Sequence, residues 1–340
     1  MADPVFDPTD PTWLAHRYDR ASDRILYRHV PRAMHGEGPF LTDELVGDRP
    51  QHIGSRSDAV AAARAQVAPV HFLFHSAFCG STVLARAIDL PDYAMALSEP
   101  VLLNDIVGIR RRGEMAGPEI ARLLDDALLL LARRWGPDET VVLKPSNIVA
   151  GLMGPMLALR PDARALLLYA PLPDFLASVA RKGLWCRLWV RELLEGMLRE
   201  RLVDLGFEPN DYFRLSDLQV AAVGWIAQHR LFATLAAAHP GRVFTLSSDR
   251  LMADPARALG ALARRGFIPE SAAAAGLLDA NPAFRRHSKD GRDFSPEARA
   301  LERAAADAAH GDEIAKVHDW ARAVAASAGV ALDLPAALLD

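Results

Sequence analysis

The sequence predicts an α/β fold: a doubly wound, mostly parallel sheet of about five strands, with a helical insertion and a C-terminal helical cap. Three observations carry this expectation. The chain has 340 residues, 51% of them apolar, enough to bury a full core. Five short apolar runs, PVHFLFHS from Pro69, YAMALSE from Tyr93, TVVLKPS from Thr140, ARALLLYAP from Ala163 and RVFTLSS from Arg242, alternate with longer helical segments. Such alternation is the pattern of strand–helix–strand units in a parallel sheet covered on both faces. The first run passes directly into a turn rich in small residues and then into a helical stretch, HSAFCGSTVLAR from His75 to Arg86.

Along the chain, residues 1–66 read as an N-terminal extension packed on the core. Short apolar runs such as RILYRHV mix there with Pro, Gly and Asp, and the region ends in the alanine-rich helical piece SDAVAAARAQV. Residues 67–340 read as the α/β domain. Helices are expected at EIARLLDDALLLLARRWG and SNIVAGLMGPMLALRPD, then along a tract from Asp174 to about His239 interrupted by LGFEPNDYFRLSD. Within that tract, residues 183–240 are the expected lid or acceptor-binding region. Helices follow from Pro255 to Gly266 and from Pro269 to Leu278. A polar segment, NPAFRRHSKDGRDFSPEAR, then leads into two alanine-rich helices that close the chain.

Composition excludes several classes of function. A net charge of −4 gives no global basic field, so neither nucleic acid nor a membrane is an expected partner, and any anion must be met locally. The start, MADPVFDPTDPTW, is acidic and proline-rich where a signal peptide needs a basic end and an apolar run, which points to the cytoplasm. The two cysteines, Cys79 and Cys186, are too few for a disulfide framework and lie in no zinc-ligand spacing, so no metal is expected. GxSxG, HExxH and GxGxxG are all absent.

The chemistry centres on the turn from His75 to Thr82. A helix opening at Ser81 presents unpaired backbone N–H groups and the positive end of its dipole, which favour an anion. Gly80 allows close backbone approach, and Ser81 and Thr82 add hydroxyl donors. A Walker lysine is missing: Gly80 stands before Ser81, and Cys79 before it. Cys79 fits a thiolate lowered by the helix dipole or, more simply, a small buried side chain.

FCGST, from Phe78 to Thr82, resembles the turn with which sulfotransferases of the P-loop NTPase-like fold hold the 5′-phosphosulfate of 3′-phosphoadenosine 5′-phosphosulfate (PAPS). The bacterial members also carry a Glu-Pro pair after the second strand, a lysine-bearing strand, then "PDA" and a strand, with Asp and Ser in the next helix. Here those positions show SEP at Ser98–Pro100, LKPSN at Leu143–Asn147, RPDARALLLYAP at Arg160–Pro171, and Asp174 with Ser178. The RRHSKDG segment resembles the late cofactor loop. The resemblance covers roughly Pro69 to Lys182 and implies cofactor contacts at Ala77, Phe78, Cys79, Gly80, Ser81, Thr82, Ser178, Arg285, Arg286 and Ser288. Two positions depart from it. Phe78 stands where the family places a basic residue toward the transferring sulfonate, and Ala170 stands where its 3′-phosphate arginine is expected.

Other residues offer replacements. Lys144, at the end of its strand, can supply the cation missing at Phe78, although a lysine there equally suits solvent or a helix start. Arg181 and Lys182, or Arg285, Arg286 and Lys289, can meet a 3′-phosphate, and the late cluster equally suits a solvated loop. A transfer to a hydroxyl needs a general base, for which Glu99 is the first candidate, His75 the second and His287 the third; Glu99 equally suits a cap or an arginine partner. Trp185, Trp189 and Trp225 read as core or lid packing, with stacking platforms as the alternative. The expected function is sulfonate transfer from PAPS to a hydroxyl or amine of a small-molecule acceptor. The alternatives are a magnesium-dependent phosphotransferase and a non-catalytic nucleotide-binding protein.

Overall fold

The computed structural model of the protein describes residues 4–279, 281–285 and 296–339, without the side chains of residues 285 and 296–307. In chain order its first half holds strands β1 (Trp13–Asp19) and β2 (Arg24–His29), helix α1 (Asp43–Val46), strand β3 (Gln51–Ser55), helix α2 (Arg56–Ala63), strand β4 (Val70–His75), helix α3 (Ser81–Ile88), strand β5 (Ala94–Ser98), helices α4 (Val101–Arg111) and α5 (Gly117–Leu131), strand β6 (Thr140–Lys144) and helix α6 (Met153–Leu159). The second half holds strand β7 (Ala165–Tyr169), helices α7 (Leu172–Arg181), α8 (Gly183–Arg199) and α9 (Asp217–Ala238), strand β8 (Val243–Ser247), and helices α10 (Ser248–Ala253), α11 (Pro255–Arg264), α12 (Glu270–Ala274) and α13 (Pro296–Ser327).

The five apolar runs are the five strands of one sheet, in the order β5-β6-β4-β7-β8. β4 and β5 both run parallel to β6. Phe72 N–H donates to Arg164 O at 2.9 Å and Ser76 N–H to Leu168 O at 3.0 Å, so both chains advance together, as in parallel pairing. The doubly wound α/β expectation is therefore what is found. Two helical expectations are corrected. The chain ends in one helix, α13, rather than two, because Gly311 is carried inside it at a cost of only about 1 kcal/mol against strong alanine-rich flanks. The helix expected over Pro269–Leu278 shrinks to the five residues of α12.

The chain divides into two compact units. In the first (residues 1–74, 81–165 and 256–291), β5 and β6 are apolar without interruption, and Met95, Leu97 and Val141–Leu143 are excluded from water. The extension forms a separate antiparallel sheet, β1-β2-β3, packed on helices of this unit. Arg17 grips Asp105 of α4 with Nε and Nη2, at 3.0 and 2.8 Å to the two carboxylate oxygens. Arg133, wholly buried, donates to the carbonyls of Pro8 and Asp10 at 3.0 and 2.8 Å, to Leu130 at 2.9 Å, and to Trp13. One buried guanidinium thus satisfies four carbonyls.

The second unit (residues 75–80, 166–255 and 292–340) is mainly helical. α9 is buried almost all round, so its sequence lacks an amphipathic stripe. A capping box starts it: Gln219 N–H donates to Ser216 Oγ at 3.3 Å, and Ser216 N–H to Gln219 Oε1 at 2.9 Å. α7, α8 and α13 pack on it.

Three buried histidines couple this packing to pH. His35, His71 and His229 are each held down to about 4, chiefly because burial disfavours the imidazolium. In the unfolded chain they take up protons near pH 6.5. The stability they contribute is therefore complete above pH 6.5 and is lost as pH falls from there toward 4, by at most about 1.4 kcal/mol per pH unit each. His71 Nδ1 accepts the Arg164 N–H at 3.1 Å. Urea unfolding in this pH window should show the loss. His71→Asn, whose Oδ1 can take the same N–H, should flatten it.

Candidate functional site

The turn between β4 and α3 is built from left-handed residues. Ala77, Phe78 and Gly80 have φ of 67°, 51° and 80°. For Ala77 and Phe78 that conformation costs about 1–2 kcal/mol each, so the surroundings must hold it. They do so from its amino-terminal side. His75 Nδ1 accepts the Ala77 N–H at 3.2 Å, and the His75 carbonyl accepts from Gln228 Nε2 at 3.1 Å. Ser76 Oγ accepts the Ala170 N–H at 3.0 Å. Gly80 is required twice over, by its positive φ and because an added Cβ would stand 2.6 Å from Met252 Cε.

What this shape presents is a run of donors. At the start of α3 the first N–H groups have no intrahelical acceptor, and those of Gly80, Ser81 and Thr82 donate to no loop or turn carbonyl among the described residues. The hydroxyls of Ser81 and Thr82 make no hydrogen bond there either, although both residues are buried. Successive amides in such a turn form a concavity suited to an anion. Cys79 is a buried thiol, as its reading as a small core side chain requires. His75, named as a possible base, is buried with Nδ1 engaged by the turn.

Beside Phe78 stands Lys182, the residue that caps the end of α7. Lys182 Nζ lies 5.5 Å from the Phe78 ring centroid, a cation–π contact, and the ring also meets Phe175 at 5.8 Å and Trp189 at 5.6 Å. Phe175, Ser178 and Lys182 follow one another at spacings of three and four residues, which sets them along one helical face. Ala170 is a different matter: it is fully buried, its N–H is bonded to Ser76, and its carbonyl accepts from Trp225 Nε1 at 2.9 Å. A guanidinium has no room at that position.

Lys144 and Glu99, proposed from sequence for separate roles, are each other's partner in the first unit. Their strands run in parallel register, Ser98 opposite Lys144, and Glu99 N–H donates to Lys144 O at 2.6 Å. Glu99 adopts φ 53°, which turns its carboxylate onto the ammonium of Lys144. The lysine is fully buried, and its Nζ also lies 4.9 Å from the Phe40 ring centroid.

Sequence reasoning passed over a cavity of about 510 Å³ at the carboxyl ends of β7 and β8, lined by Tyr169, Trp225, Ser247, Asp249, His318 and Asp333 among others. Burial, with Asp249 and Asp333 nearby, raises the Tyr169 phenol. Of these residues Tyr169 falls within the RPDARALLLYAP segment, but only as its strand end, and Ser247 likewise closes a strand. Arg286 and Ser288, with His287 and Lys289, lie outside the described residues, and Arg285 is described only as the end of the short 3-10 helix Pro282–Arg285. Among the described residues no group of three or more His, Cys, Asp or Glu is placed to hold a metal ion. Nor is any helix there long and apolar enough to cross a membrane.

No family model matches the chain, and no curated protein does. Among solved structures, the chain is similar to the sulfotransferase domain from the curacin biosynthetic pathway, with a TM-score of 0.41 and 15% identity, over 69% of this chain and 83% of that one. It is also similar to a sulfotransferase from Alicyclobacillus acidocaldarius, with a TM-score of 0.31 and 16% identity, over 74% and 96%.

Two expected outcomes follow. Gly80→Ala should lower stability by about 2–4 kcal/mol, the sum of a left-handed alanine and an overpacked contact, and a Met252→Ala background should remove only the contact share in a urea double-mutant cycle. Glu99→Gln should cost about 3–5 kcal/mol by stranding a buried ammonium, while Glu99→Leu with Lys144→Met should restore most of it.

Proposed function

We propose that the chain is a sulfotransferase-like transferase that moves a sulfonate from PAPS to a hydroxyl or amine of a small-molecule acceptor. The observation that carries this reading is the turn at His75–Thr82. Its left-handed residues are held rigidly by neighbours that gain nothing for the core from that shape, while donors at Gly80, Ser81 and Thr82 are left to an outside acceptor. A terminal phosphosulfate fits that donor set. When bound, PAPS supplies an activated sulfonate whose bond to phosphate breaks as the acceptor oxygen or nitrogen attacks sulfur, leaving adenosine 3′,5′-bisphosphate and a released acceptor proton.

The chain's own residues then divide the work. Gly80 admits the ligand to the backbone, and Ser81 and Thr82 orient it through their amides and hydroxyls. Lys182, above Phe78, supplies the positive charge that the turn itself lacks. Ser178, on the same helix face, is the donor for the 3′-phosphate, with Arg285, Arg286 and Ser288 as further candidates from the sequence. His75 keeps the turn in shape. Lys144 and Glu99 act together as a structural ion pair. A second reading, nucleotide binding without transfer, is favoured by Phe78 and Ala170, which bring no charge to positions where transfer would use one.

Calorimetry with adenosine 3′,5′-bisphosphate, adenosine 5′-phosphate and ATP with magnesium tests the reading. The bisphosphate should bind best, and Ser178→Ala and Lys182→Met should each weaken it about tenfold or more, the worth of one hydrogen bond or contact to a charged group. Equal binding of all three, or none, would sink the PAPS assignment. Preference for magnesium ATP would favour the phosphotransferase.

A further inference from the structure

The ring contacts at Phe78 continue outward along α8. Trp189 meets Phe78 nearly edge-on, at 70°, and Trp185, one helical turn earlier, stands almost parallel to Trp189, with centroids 6.5 Å apart and planes at 11°. Leu184, Trp185 and Leu188 are 70%, 68% and 52% exposed. Of the core or lid packing expected for these tryptophans, Trp225 takes the core place, whereas Trp185 stands exposed. Three neighbouring large apolar side chains left in water on one stretch of helix mark a binding surface rather than scatter.

We propose that this face of α8 binds the acceptor, and that the acceptor is an aromatic compound bearing a hydroxyl or amine. Three features select that ligand. The first is continuity: the row begins at a residue of the phosphate turn, whereas the cavity at β7 and β8 is lined by none of the turn's residues. The second is surface chemistry: Trp185 and Trp189 lie nearly parallel with centroids 6.5 Å apart, too close to admit a ring between them, so they form one short aromatic row against whose exposed outer side a planar ring can lie. The third is charge. At the inner end lies Lys182, which has no carboxylate partner among the described residues, to meet the polar end of the ligand.

A membrane surface is the poorer fit. An interfacial helix keeps its basic residues for lipid headgroups, but Arg187 is engaged by Glu313 at 3.4 Å and Arg191 by Asp217 at 2.6 Å. The word acceptor rests on the transfer reading above; binding of an aromatic ring to the row does not.

Equilibrium dialysis of 2-naphthol against the whole chain, with 1-octanol as the aliphatic comparison, tests the proposal. Trp185→Ala and Leu188→Ser alter exposed side chains, and an unchanged urea midpoint certifies each fold. Binding of 2-naphthol should exceed that of octanol and fall about tenfold in either variant, while calorimetric binding of adenosine 3′,5′-bisphosphate stays as in the parent. Naphthol binding untouched by both variants would overturn the site, and equal binding of octanol would overturn the aromatic class. Sedimentation with phosphatidylglycerol vesicles, abolished by Trp185→Ala, would overturn it in favour of a lipid surface. If naphthol binds on the row and the bisphosphate does not bind at all, the ring site stands and the transfer reading falls.

Discussion

Ser76 accepts the amide of Ala170, and through that bond the strained turn and the first residue past β7 define one another. Ala170 passes the constraint on, since its carbonyl is taken by Trp225 of α9, and Gln228 one turn later takes the carbonyl of His75. A single helix therefore holds the amino-terminal side of the segment that adopts unfavourable backbone angles. Strain of this kind persists only where several partners over-determine it. Ser76, Ala170, Trp225 and Gln228 are all buried. The shape of the turn is in this sense a product of α9, the longest helix of its unit apart from α13.

The same arrangement explains where positive charge can be placed. Position 170 is consumed by packing, and position 78 carries a ring, so neither offers a cation near the turn. The ring instead gives a lysine something to rest on: an ammonium over an aromatic face keeps its charge and most of its water. Lys144, by contrast, is paired in place with Glu99, so its charge is already met within the first unit.

Most of the architecture was legible because it rests on local signals. Buried parallel strands must be apolar throughout, and all five runs declared themselves that way. α3 was bounded by the glycine and hydroxyl residues that start helices. The antiparallel sheet of the first 66 residues was not legible as a sheet, because its strands carry charged residues such as Arg17, whose partner Asp105 is distant in sequence. At the site, the turn could be read from its small residues between an apolar strand and a helix, whereas Ser178 entered only through the resemblance. The pairing of Lys144 with Glu99 could not, since it depends on the register of β5 against β6 and on a left-handed glutamate that no propensity foretells. The contact of Lys182 with Phe78 was equally hidden, for it needs the exit angle of α7.

Arg133 joins carbonyls 120 to 125 residues away in the chain, and this separation has a meaning for synthesis. At about 5–20 residues per second, on the order of 6 to 25 seconds pass between emergence of Pro8–Trp13 and arrival of the guanidinium that satisfies them. The hairpin of β1 and β2 can close within microseconds. Its apolar side, including Trp13 and Tyr27, then waits uncovered while more than a hundred residues follow. A hairpin able to close within microseconds is thus secured only when a side chain more than a hundred residues later arrives, and in that interval its fate rests with whatever in the cell shields nascent chains.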